Sequence, residues 1–76
     1  MSTQQLVKIR SRKLGALLFD ARSAKRRSAQ ECADAMCVTL EQYESYEKGQ
    51  QPPSLPELES LAYFLDVPLD HFWSST

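Results

Sequence analysis

The sequence predicts an all-α fold, one compact bundle of five helices, and three observations lead to it. Ser28-Ala29-Gln30-Glu31, Thr39-Leu40-Glu41-Gln42 and Ser54-Leu55-Pro56-Glu57 each place a hydroxyl three residues before Glu or Gln. That is the capping box, in which the two side chains satisfy orphan backbone N–H groups at a helix start. Behind each box the apolar residues keep a helical period. Only Cys37-Val38-Thr39 separates the second helix from the third. A three-residue turn between two short amphipathic helices gives the crossing of a helix-turn-helix, here over residues 28–49.

The elements follow in order. In the first helix Leu14, Leu17, Leu18 and Ala21 form one inward stripe at i, i+3, i+4 and i+7. Its start is open, because Leu6, Val7 and Ile9 continue the apolar pattern upstream. Helix two, residues 29–36, turns Cys32, Ala33 and Met36 inward. Helix three, residues 40–48, turns Tyr43 and Tyr46 inward, with Val38 between the two helices. A core tyrosine needs a partner for its hydroxyl, so each ring tip is expected to reach the surface. Gly49 closes helix three by accepting a left-handed conformation. After a loop at 50–53, helix four runs over residues 55–65 with Leu55, Leu58, Leu61, Ala62 and Leu65 inward. Pro56 sits in its first turn, where a missing N–H costs little. Pro68 then opens a short fifth helix carrying Leu69, Phe72 and Trp73.

Composition narrows the function. A 76-residue chain makes one domain that buries about 60% of its unfolded surface, which leaves no room for a deep enzyme cleft. With 42% hydrophobic and 25% charged residues it is not disordered wholesale. No apolar run approaches the roughly 20 residues that span a bilayer, so no membrane segment is expected. Met1-Ser2-Thr3-Gln4-Gln5 lacks the order of a secretory signal. Cys32 and Cys37 make no disulfide framework, and His71, the one histidine, leaves a zinc site short of ligands. The expectation is a cytoplasmic protein with reduced thiols, no cofactor, no metal and no enzymatic activity. The alternative use of Cys32 and Cys37 as a redox pair near Arg26 and Arg27 conflicts with the core position of Cys32.

The net charge of −1 hides an asymmetry. Residues 1–27 hold Lys8, Arg10, Arg12, Lys13, Arg22, Lys25, Arg26 and Arg27 against Asp20, or 8 − 1 = +7. From Ser28 onward Lys48 alone stands against nine acids, or 1 − 9 = −8. A polyanion would be gripped from the N-terminal part, and the two halves also attract each other. Spacing adds one contact. Glu47 lies four residues after Tyr43 and Arg22 four after Leu18, so both face inward. A half-buried carboxylate needs a cation, which predicts a structural Arg22–Glu47 ion pair between helices one and three.

Leu14-Gly15 with Arg22, residues 28–33, Val38-Thr39, residues 43–49, Pro53-Ser54-Leu55, Leu61-Ala62, Leu65-Asp66-Val67 and Leu69-Asp70 together resemble the Cro/C1 (XRE-type) helix-turn-helix family. The likeness covers residues 14–73. It implies a lambda-repressor-like, five-helix DNA-binding domain of a transcriptional regulator, with residues 40–48 as the recognition helix in the major groove. The groove-facing positions it implies are Ala29, then Leu40, Glu41, Gln42, Glu44 and Ser45 as base readers. Family members often carry Gln, Arg or Ser there, and glycine where Cys37 stands; a left-handed non-glycine residue costs about 1 kcal/mol.

The acids on helix three oppose DNA only weakly. A carboxylate about 8 Å from a phosphate in water is repelled by about 0.5 kcal/mol. Lys8, Arg10, Arg12, Lys13, Arg26, Arg27 and Lys48 are the phosphate candidates. The sequence thus divides into a basic arm or helix-one extension at 1–13, the domain at 14–73 and a tail at 74–76, with double-stranded DNA as partner. A second reading keeps the fold as a protein-interaction or dimerisation module, in which Phe19, Tyr63 and Phe64 form an apolar patch for a homodimer mate or another protein.

Overall fold

Every α-helix of this protein starts on a hydroxyl side chain and ends on a left-handed residue, and those ends define the chain path. The computed structural model describes residues 2–72. It contains α1 (Thr3–Ala24), α2 (Ala29–Met36), α3 (Leu40–Glu47) and α4 (Leu55–Leu65), followed by one 3-10 turn (Leu69–Phe72). The N-caps are Ser2, Ser28, Thr39 and Ser54. The ends are Arg26, Cys37, Gly49 and Asp66, all at positive φ. At each end the next residue bonds back as well, as in Val38 N–H to Ala33 O at 3.0 Å and Gln50 N–H to Ser45 O at 3.0 Å. This paired closure satisfies the last carbonyls of each helix.

Four α-helices, not five, are therefore present among the described residues. The expected fifth is a single tight turn, held by His71 N–H to Pro68 O at 3.0 Å, an i→i+3 bond rather than an α-helical one. Trp73 and the tail at 74–76 lie outside the described residues. The first helix begins far upstream, at Thr3. Ser2 and Gln5 cap each other there, at 3.2 Å and 3.0 Å, with the three-residue spacing of Ser28–Glu31 and Ser54–Glu57. The box expected at Thr39 is half formed. Thr39 accepts from Gln42 N–H at 3.1 Å, but the Gln42 amide turns away to the Tyr46 hydroxyl at 2.9 Å.

The core draws on every element. Leu18 and Ala21 of α1, Cys32, Ala33 and Met36 of α2, and Tyr43 and Tyr46 of α3 are buried. Leu58, Leu61, Ala62 and Leu65 of α4 and Phe72 complete it, with Leu14, Leu17 and Val38 at its margin. Leu55 does not join them and is 53% exposed. A helical side chain covers the turn before its own Cα, and Leu55 in the first turn has none to cover. The tyrosine tips also differ from expectation. Tyr43 is 0% exposed and donates to Glu47, while Tyr46 donates to Glu57 at 2.9 Å, so carboxylates take the place of water.

Gly15 sets the approach of α1 to α3. A Cβ on Gly15 would lie 2.4 Å from Glu47 O and 2.6 Å from Tyr46 O, both backbone atoms. Mid-helix glycine to alanine normally stabilises by nearly 1 kcal/mol; here Gly15→Ala is expected to lower the melting temperature, because the end of α3 must move away. The left-handed Cys37 (φ 60) reverses the usual sign in the other direction. Cys37→Gly is expected to stabilise by about 0.5–1 kcal/mol, relief of strain less the added unfolded-state freedom. Thermal unfolding of both variants checks the pair of signs.

Candidate nucleic-acid interface

The α2–turn–α3 unit is positioned from behind by one polar network. Arg22 Nε donates to Glu47 Oε2 at 2.7 Å and its Nη2 to Glu47 Oε1 at 3.1 Å, a bidentate pair. The side chains are 18% and 13% exposed. Arg22 Nη1 donates to Arg27 O at 3.1 Å, and Tyr43 donates to Glu47. The bond to Glu47 holds the Arg22 guanidinium firmly protonated. Burial, then the Glu47 bond, keeps the Tyr43 hydroxyl protonated as well. A second chain runs from the Gln42 amide to Tyr46 and on to Glu57, which also accepts from Ser54 N–H at 2.8 Å. It links α3 to the start of α4. Glu57 is held below the usual carboxylate range, first by the Ser54 backbone bond.

On the outer side of α3, Leu40, Glu41, Gln42 and Glu44 are exposed and Ser45 is half-buried. They do not present equal chemistry. Ser45 donates to Gln42 O at 2.6 Å and accepts from Gln51 Nε2 at 2.8 Å, and the Gln42 amide is engaged by Tyr46. Glu41 and Glu44 form no hydrogen bond or ion pair among the described residues. Ala29 is half-buried at the start of α2.

The basic residues fall into two groups. Lys8, Arg10, Arg12 and Lys13 are exposed on α1, whose 22 residues span about 33 Å of a molecule 35 Å long. Residues 2–10 are exposed throughout. Arg12 lies against the residue that closes α3, its Cα 2.7 Å from where a Gly49 Cβ would sit. Arg26 and Arg27 precede α2, but the α2 N-terminus already holds a carboxylate. Ser28 N–H donates to Glu31 at 2.9 Å, and Glu31 is held below the usual carboxylate range chiefly by that bond. Arg27 pairs with Glu31 at 3.3 Å and lies over the Phe64 ring at 5.3 Å.

Among the described residues no group of three His, Cys, Asp or Glu side chains is placed to hold a metal. Both cysteines are free; Cys37 is exposed and Cys32 buried, and burial pushes the Cys32 thiol up, away from the thiolate that a reactive pair needs. No helix is long and apolar enough to cross a membrane among those residues. Tyr63 is 90% exposed beside Ala35, Glu59, Ser60 and Phe64, a shallow hollow between α2 and α4.

A family model described as a helix-turn-helix domain matches residues 13–72, most of the chain. No curated protein matches the sequence.

The Arg22–Glu47 network generates a stability prediction. Removing one partner of a mostly buried ion pair typically costs 3–5 kcal/mol. Arg22→Ala is therefore expected to lose about 3 kcal/mol in urea unfolding, and a double-mutant cycle with Glu47→Ala to show strong coupling. A loss under about 0.5 kcal/mol would place the pair among surface contacts of little consequence.

Proposed function

Because the chain belongs to the helix-turn-helix domain family, we propose that it binds double-stranded DNA as a cytoplasmic transcriptional regulator of the Cro/C1 (XRE-type) kind. In this reading α3 enters the major groove and the basic first half of α1 grips the backbone. The observation that carries it is the junction at Gly49, which sets Arg12 of α1 against the residue that closes α3. Lys8, Arg10 and Lys13 continue the positive charge outward along α1. Residues 1–13 act as a basic extension of the domain at 14–73.

The structure shifts weight among the contacts. Phosphate binding at the start of α2 competes with Glu31 and with the Arg27–Phe64 stacking, so Lys8, Arg10, Arg12, Lys13 and Lys48 take the larger share, with Arg26 beside them. On α3, Leu40 suits a thymine methyl, while Gln42 and Ser45 serve chiefly to shape the helix. Magnitudes favour binding. Repulsion from Glu41 and Glu44 is about 1 kcal/mol together before salt screening, under tenfold in affinity. The four contacts from Lys8, Arg10, Arg12 and Lys13 alone give a salt slope of about −3.6, on the order of a hundredfold between 50 and 200 mM salt.

The Tyr63–Phe64 hollow favours a second reading, a protein-interaction or homodimer surface between α2 and α4. The two readings separate in one measurement, fluorescence anisotropy with labelled duplex over a salt series. Wild type is expected to bind with affinity falling steeply as salt rises. Replacing Lys8, Arg10, Arg12 and Lys13 with Ala is expected to flatten the slope by about 3–4. Unchanged binding by that variant removes α1 from the interface. No binding by wild type at about 50 mM salt overturns the DNA reading in favour of the interaction module.

A further inference from the structure

The outer face of α3 offers DNA chiefly acceptors, since Gln42 commits one of its two amide donors and Ser45 donates to backbone. Gln42 directs its amide to the hydroxyl of Tyr46, and that hydroxyl donates onward to Glu57, each at 2.9 Å. Withdrawing the Gln42 amide would leave the almost fully buried Tyr46 oxygen without its donor. The Ser45 proton goes to Gln42 O at 2.6 Å, with Gln51 covering the oxygen at 2.8 Å. Among the described residues this leaves Glu41 and Glu44 as the exposed polar side chains between Leu40 and Lys48 that make no hydrogen bond, while Gln42 keeps one amide N–H beyond the bond to Tyr46. An ionised carboxylate accepts hydrogen bonds and donates none.

Only two groups on major-groove base edges donate: the N4 amino group of cytosine and the N6 amino group of adenine. Guanine and thymine present acceptors, which repel a carboxylate. Adenine sets its N7 acceptor beside the amino group, whereas the cytosine edge carries the donor alone. We infer that Glu41 and Glu44 determine specificity by reading cytosine amino groups, with Gln42 a positioning residue rather than a reader. Residues three apart on a helix are about 4.5 Å apart along its axis, near the 3.4 Å base-pair step. The two carboxylates therefore address neighbouring base pairs. This inference rests on the DNA reading above.

The test is selection by the full chain from a random duplex pool, repeated with Glu41→Gln and Glu44→Gln, both at exposed positions that carry no structural bond. Wild type is expected to enrich two neighbouring cytosines, on either strand. Each Gln variant is expected to shift one of them toward adenine, which Gln pairs bidentately, changing preference there by about fivefold to a hundredfold. Affinity for random-sequence duplex should instead rise about twofold per carboxylate removed. An enriched motif that both variants select unchanged, or one without neighbouring G·C pairs, overturns this inference and leaves DNA binding intact. Failure of wild type to bind any duplex at about 50 mM salt overturns the DNA reading itself, and this inference with it.

Discussion

The bidentate pair between Arg22 and Glu47 is the contact on which the remaining architecture depends. Arg22 sits near the end of α1, and its three donors reach Glu47 and the Arg27 carbonyl. It therefore fixes α3 and the turn into α2 at once. Glu47 answers with Tyr43, the largest side chain buried completely in the core. Such a pair does not surpass a well-packed apolar one in stability, because desolvation offsets the attraction. Its effect is geometric. Directional bonds fix the rotation and register of α3 against α1, and the absent side chain at Gly15 lets the two backbones meet.

That geometry organises the electrostatics. The +7 and −8 halves of the sequence are not simply folded onto each other. Among the described residues two ion pairs form, Arg22–Glu47 and Arg27–Glu31, and the cations of the first half of α1 stay exposed. Because α1 is continuous from Thr3, those cations ride on a helix, and Arg12 among them lies against Gly49 at the end of α3. At the same time the α2 N-terminus, an obvious anion position, is filled by Glu31. Charge available to a polyanion is thereby moved from the helix start to the α1–α3 junction.

Much of this was legible beforehand because caps are local. Ser28 with Glu31 and Ser54 with Glu57 close as their spacing implies, since both partners lie within one turn. Ser2 with Gln5 has the same spacing and closes in the same way, so the start of α1 is also written in local residues. Thr39 with Gln42 shows the limit. The same spacing forms half a box because a buried tyrosine oxygen from the next turn competes for the amide. The candidate site was less legible for that reason: side-chain identity marks who faces outward, and partners decide who is free.

The sequence by itself determined the starts of α2, α3 and α4, the turn at residues 37–39, the inward stripes apart from Leu55, and the surplus of positive charge upstream of Ser28. Each is settled within a few residues, by backbone satisfaction and by a period of 3.6. Only the tertiary structure decided the rest. It reduced a fifth helix to one 3-10 turn, covered both tyrosine tips with carboxylates, and engaged Gln42, Ser45 and Arg27 internally. Those outcomes depend on residues distant in the chain meeting across helices, where a buried polar atom takes whichever partner the packing brings within reach.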